Sequence, residues 1–162
     1  MPKINDIQPD AKGASECLDN IPQAYRGGFL RQKEEYSLNT EALERLKILC
    51  EDYTCVVLYA YWCGDSRRAL PVLALIEEQT GKKIPALGGM TKPPYGSDQL
   101  WAIPPSPPEV EIFGITSSPT ILIFNKEGEE IGRIKTRQRM APTIEEEIVK
   151  IIEDDLKTHS KQ

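Results

Sequence analysis

Residues 55–66 read Cys55-Val56-Val57-Leu58-Tyr59-Ala60-Tyr61-Trp62-Cys63-Gly64-Asp65-Ser66. The first seven form a continuous apolar, β-branched and aromatic run, the pattern of a strand covered on both faces. Trp62 to Ser66 turns the chain, and residues 67–80 resume helical composition up to Gly81, which occupies the usual place past a helix C-terminus. Pro71 lies inside that helix and is expected to kink it. Cys63 is thereby placed at a strand-to-helix junction. Unpaired backbone amides and the positive end of the helix dipole favour a thiolate over a thiol at such a position, so the placement implies a nucleophile near neutral pH.

Upstream, Asn39 or Thr40 caps a predicted amphipathic helix over residues 41–51, with Ala42, Leu43, Leu46 and Leu49 or Cys50 at helical spacing. The first forty residues mix Pro9, Gly13, Pro22, Gly27 and Gly28 with few periodic apolar positions, and read as loop and short helical turns. Downstream, residues 84–87 are short and contain Pro85, which predicts an edge strand or one with the proline at its end. Residues 91–109 hold Pro93, Pro94, Pro104, Pro105, Pro107 and Pro108 with Tyr95 and Trp101. That composition predicts a long loop, usually functional or mobile inside a compact domain. Residues 120–124 and 130–134 flank Gly128, which supplies the positive φ of a hairpin turn. A last helix opens on a Thr143/Glu146 capping box and carries an apolar stripe of Ile144, Ile148, Ile151, Ile152 and Leu156. The order of elements predicts an α/β domain, a mixed sheet covered by helices on both faces.

The chain has 162 residues, 40% hydrophobic and 28% charged, with 20 Lys and Arg against 25 Asp and Glu for a net charge of −5. That is one globular domain's worth of ordinary composition and excludes disordered and fibrous architectures. The longest apolar run, Val56 to Trp62, is far too short to span a bilayer, and Met1-Pro2-Lys3-Ile4-Asn5-Asp6 lacks the features of a secretory leader. A cytoplasmic address with no membrane partner is expected. A pI near 5.1 leaves no nucleic-acid footprint, since the one basic cluster, Arg133, Lys135, Arg137 and Arg139, neighbours the acidic run Glu145 to Glu147. The acidic run reads as favourable charge in the first turn of a helix. Cys17, Cys50, Cys55 and Cys63 are too few for a disulfide framework, so any cysteine function is expected to be reactive.

Trp62-Cys63-Gly64-Asp65-Ser66 after an apolar strand, with Pro71 in the following helix, resembles the active-site segment of thioredoxins, whose motif reads Trp-Cys-Gly-Pro-Cys. Phe113-Gly114-Ile115-Thr116-Ser117-Ser118-Pro119-Thr120 before the 121–124 strand is similar to the thioredoxin segment that sets a cis-proline beside the active-site cysteine. The resemblance covers residues 55–132 and is strongest to a bacterial and archaeal thioredoxin-like group with a Trp-Cys-Gly-Asp-Cys motif. It implies a thioredoxin fold: a central mixed β-sheet flanked by helices over residues 39–158. An N-terminal extension over residues 1–38, a Pro-rich insertion at 91–109 and a polar tail at 159–162 surround it. It also implies Cys63 as nucleophile with Ser66 beside it, a cis Ser118–Pro119 peptide, and Trp62, Gly64, Asp65, Ser118 and Pro119 bordering the substrate. The expected partners are protein disulfides or glutathione mixed disulfides. No resident cofactor is implied; glutathione enters as a co-substrate.

The departures bear on mechanism. Ser66 stands at the second motif cysteine and cannot close a disulfide, so an adduct on Cys63 would wait for an outside thiol; Ser66 can still donate a hydrogen bond to the Cys63 thiolate. Val57 stands where many thioredoxins carry a buried aspartate. Cys55, eight residues back along the strand, would lie about 26 Å from Cys63 at about 3.3 Å per residue, against the roughly 7 Å between α carbons that a disulfide allows. Cys50 is expected at the same far end, which leaves Cys17 as the intrachain candidate to resolve Cys63. Cys50 and Cys55 read as small core residues. Arg67 or Arg68 could favour the thiolate or hold a glutathione carboxylate, or could belong to a solvated helix face; Asp65 works against the thiolate by like charge. Metal or cluster binding lacks a ligand set, the sole histidine being His159. Three readings stand open: a monothiol exchange protein, a thioredoxin-shaped binding module without turnover that uses Trp62, Pro119 and the 95–101 segment, and a dithiol oxidoreductase carrying a deliberate Cys-to-Ser change at position 66.

Overall fold

The computed structural model describes residues 1–91 and 106–160, and the apolar run after Tyr53 supplies its central strand. β1 (Thr54–Leu58) lies between β2 (Ala86–Leu87), which runs parallel to it, and β3 (Thr120–Phe124), which runs antiparallel. β4 (Glu130–Lys135) pairs antiparallel with β3 and completes the order β2-β1-β3-β4. Among the described residues the helices are α1 (Ala14–Asp19), α2 (Gln23–Glu35), α3 (Thr40–Leu49), α4 (Gly64–Thr80), α5 (Glu109–Ile112) and α6 (Ile144–Ser160). None is long and apolar enough to cross a membrane.

Side chains alternate along a strand, so β1 and β3 feed two separate apolar clusters. Val57, Tyr59, Ile121 and Ile123 meet buried residues of α1, α2, α3, α4 and α6 on one face. Val56, Leu58, Leu122 and Phe124 meet Ile7, Ala11, Met90, Val110, Phe113 and Ile115 on the other. The sheet is therefore flanked unequally. The long helices share one cluster, while α5 and irregular segments close the second.

Local chemistry explains the element ends. Asn39 caps α3, its Oδ1 accepting from Ala42 N at 2.9 Å. Gly81 ends α4 at φ +73°, a left-handed conformation that glycine adopts without a Cβ clash. In the hairpin, Asn125 Oδ1 accepts from Glu127 N and Glu129 N while Gly128 takes φ +80°. Thr143 Oγ1 accepts from Glu146 N at 3.2 Å and donates to Glu146 Oε1 at 2.9 Å, so the acidic side chain returns to the hydroxyl of its cap.

Three local expectations are corrected. The helix after the motif begins at Gly64, because Gly64, Asp65 and Ser66 form its first turn; Pro71 lies inside it. The first two residues of the expected polar tail, His159 and Ser160, belong to a helix, since α6 continues to Ser160. The first forty residues include α2, a helix of 13 residues. Periodicity hid it because Phe29 is its only buried side chain and two glycines interrupt it. Gly28 is there for contact: a Cβ on it would collide with Arg67 Cδ of α4.

The N-terminal segment also closes the sheet. β2 is a two-residue strand just after Pro85, and its outer side is paired rather than open: Ala86 N donates to Lys12 O at 2.8 Å and Ala14 N to Ile84 O at 2.9 Å. Glu77 of α4 fixes this junction by accepting from Ser15 N at 2.9 Å and Ile84 N at 2.7 Å. Most of the Pro-rich insertion, with Tyr95 and Trp101, lies outside the described residues.

Candidate active site at the start of α4

Cys63 is the N-cap of α4, with extended backbone at φ −86° and ψ 125°. Its carbonyl accepts from Arg67 N at 3.1 Å and its N–H donates to Ala60 O at 3.3 Å, which holds the turn from β1 into the helix. The side chain is half-buried and packs on the cluster containing Ala60, Leu58 and Ile115. Its Sγ donates to Ser118 O at 3.4 Å. Trp62, immediately before it, is 46% exposed.

The Ser118–Pro119 peptide is cis. Thr120 Oγ1 donates to Ser117 O at 2.8 Å and Thr136 N donates to Pro119 O at 2.8 Å, so β3 and the end of β4 fix the loop that faces Cys63. Ser66 is fully buried beneath this contact. Its Oγ accepts from Ala60 N at 3.2 Å and lies 3.1 Å from Ser118 Oγ. The anticipated hydrogen bond from Ser66 to Cys63 is thus replaced: the hydroxyl ties the start of α4 to the end of β1 and to Ser118, and Ser118 offers the sulfur its backbone carbonyl.

Asp65 does not face Cys63 with an uncompensated charge. Its Oδ1 accepts from Arg68 Nη1 at 2.6 Å and from Arg137 Nε at 2.8 Å. Arg137 follows β4 and comes from the basic cluster whose role sequence alone left blank. The same cluster sends Arg133 to Glu130 and to Phe113 O, and the backbone of Arg139 to Glu147. Gly64, the residue after Cys63, and Arg67 line an open groove between α2 and α4.

The other thiols lie elsewhere. Cys17 packs in the cluster of Val57 and Tyr59, across the sheet from the cluster that Cys63 touches, with its Sγ 3.6 Å from Ala86 O. That placement removes it as the intrachain partner of Cys63, and burial pushes its thiol up from the ordinary value. Burial pushes the Cys55 thiol up to about 12. Cys50 and Cys55 line a cavity of about 30 Å³ with Leu46, Tyr53, Ile76 and Ile152, too small for a ligand. Val57 is fully buried. Among the described residues no three His, Cys, Asp or Glu side chains converge as a metal would require.

The mixed sheet flanked by helices is that of a thioredoxin fold. The sequence profile of the family described as thioredoxin matches residues 12–85, the span that carries β1, Cys63 and α4. Two solved structures share the architecture at a TM-score of 0.62 over 99% of both chains: a Pseudomonas aeruginosa protein of unknown function, 15% identical, and an HIV epitope scaffold, 14% identical. No curated protein matches the sequence. The chain is thus similar to the thioredoxin family over residues 12–85 and shares its fold with these structures.

Proposed function

We propose that this protein carries out thiol–disulfide exchange through a single cysteine, Cys63, in a reducing cytoplasmic setting. The observation that carries the reading is the placement of Cys63: a half-buried sulfur at the N-terminus of a 17-residue helix, against Ser118 O and next to the exposed Trp62. The Cys63 thiolate attacks one sulfur of a substrate disulfide. A new sulfur–sulfur bond forms to Cys63, the substrate bond breaks, and the other sulfur leaves as a thiolate. Ser66 cannot attack the adduct, so an external thiol of the glutathione class does. It forms a disulfide with one half of the adduct and returns Cys63 as thiolate. Ser66 positions the reacting loop through Ala60 and Ser118, and the Asp65 charge is countered by Arg68 and Arg137.

Reduction of a glutathionylated peptide by excess glutathione tests the reading. Wild type accelerates it and Cys63→Ala abolishes the acceleration; equal rates for the two overturn it. A binding module without turnover is the second reading, favoured by Val57 and by the engagement of the Ser66 hydroxyl in structure. It predicts peptide capture that Cys63→Ala leaves intact. For the dithiol reading, Ser66→Cys is the diagnostic change: it converts the protein into a reductant of insulin-type disulfides if the scaffold is that of a dithiol enzyme.

A further inference from the structure

The groove between α2 and α4 has a volume of about 410 Å³ and runs beside Gly64, within the range of small-molecule sites, about 300–1,000 Å³. Arg31, Gln32 and Glu35 of α2 face Arg67 and Arg68 of α4 across it. Gly28 makes the crossing possible, because the Arg67 stem occupies the space a Cβ would take. Arg67 follows Cys63 by four residues, so the two share a face of the helix one turn apart.

The charges of this groove are only partly used. Arg68 is engaged by Asp65, and Gln32 Nε2 donates to Arg68 O at 3.3 Å. Among the described residues Arg31, Glu35 and Arg67 make no side-chain hydrogen bond or ion pair. Arg31 and Glu35 stand one turn apart on α2 and still form no pair with each other. Two guanidiniums and one carboxylate, all exposed, are the complement of a short peptide that carries two carboxylates and one ammonium. A guanidinium fork binds carboxylates geometrically as well as by charge.

We propose that this groove is the binding site for the glutathionyl half of the mixed disulfide on Cys63, with carboxylates on Arg31 and Arg67 and the ammonium toward Glu35. The proposal rests on the thiol-exchange reading for its purpose, while the binding itself is independent of sulfur chemistry. It also gives the N-terminal extension a role in specificity, since α2 supplies half of the site.

S-methylglutathione, which has no reactive sulfur, is the direct probe. Titrated into wild type and followed by NMR, it is expected to bind saturably and shift amides of α2 and α4. In the Arg31→Gln/Arg67→Gln protein the affinity is expected to fall about tenfold or more, the loss of two charge-assisted contacts. In exchange assays the ratio of rates with glutathione disulfide and the uncharged hydroxyethyl disulfide should fall about tenfold in the double variant. Absent or unspecific binding, binding that survives both substitutions, or an unchanged rate ratio overturns the proposal. If Cys63 exchanges with neither disulfide while S-methylglutathione still binds and loses affinity in the double variant, the thiol-exchange reading falls and the groove stands.

Discussion

Ser66 is the residue at which sequence and structure say different things. As a letter in a motif it is a missing cysteine; as a side chain it is a fully buried hydroxyl bonded to Ala60 N and Ser118 Oγ. Ser66→Ala would leave the buried Ala60 N–H without its acceptor. A loss of about 1–3 kcal/mol is expected in urea unfolding, the cost of an orphaned donor; a change within a few tenths would show that the hydroxyl bears no load. Asp65 gives a second test. Its carboxylate is like-charged to a Cys63 thiolate, so Asp65→Asn should raise the iodoacetamide alkylation rate of Cys63 at neutral pH by about threefold, and Arg137→Ala should lower it. Cys63, Ser66 and Pro119 were legible from local motifs. Arg137 was not, because an ion pair to a side chain 72 residues away leaves no local pattern; the only signal was the basic cluster itself.

At the scale of elements, α6 is fastened to the rest of the fold through its first turn and through its C-terminal half. Glu145 is fully buried and accepts from Tyr36 OH and from Asn39 N, both at 2.8 Å. Read as helix-favouring charge from the sequence, it proves to be the anchor that holds the entry to α3. Glu145→Ala should therefore cost about 3 kcal/mol, because a charged acceptor leaves two donors behind, whereas Glu146→Ala, at a half-buried side chain, removes only a cap contact. Near the other end, Tyr53 OH donates to Asp155 Oδ2 at 2.9 Å. Burial and the facing carboxylate push the Tyr53 phenol up to about 12 from 10.0, and burial pushes the Cys55 thiol up to about 12 from 9.0. Both groups hold their protons more tightly folded than unfolded. Their contribution is complete below about pH 9 and is lost as pH rises toward 12, since unfolding then releases protons. Urea midpoints should fall between pH 8.5 and 10.5, less steeply in Tyr53→Phe. Strands, hairpin and the amphipathic α3 and α6 were legible because each shows its period over several residues. α2 was not, because a helix that buries one side chain has almost no period to read.

For the whole molecule, the N-terminal segment is part of the domain. Its backbone covers the outer side of β2, Ile7 and Ala11 enter the core, and Gln8 N donates to the buried Glu109 at 2.8 Å. Removing residues 1–13 would uncover a strand edge and orphan the Glu109 carboxylate. The shortened protein should lose cooperative unfolding and gain a tendency to associate, read by denaturation and by sedimentation; unchanged unfolding would show the segment to be dispensable. This architecture explains why one face of the sheet could not be anticipated. The cover on the second face comes from chain segments far apart in sequence, each with too little regular structure to announce itself. It also places α2 against α4, so the groove proposed to select the partner of Cys63 is built in part from a stretch that composition alone marks as loop.

The most direct measurement of the central claim is mass spectrometry of the native protein after incubation with glutathione disulfide at neutral pH, with each cysteine followed by its peptide. The account predicts a single glutathionyl group on Cys63, none on Cys17 or Cys55, and its quantitative release by added glutathione. A Cys63 peptide that stays unmodified, or modification spread equally over the four cysteines, would contradict it.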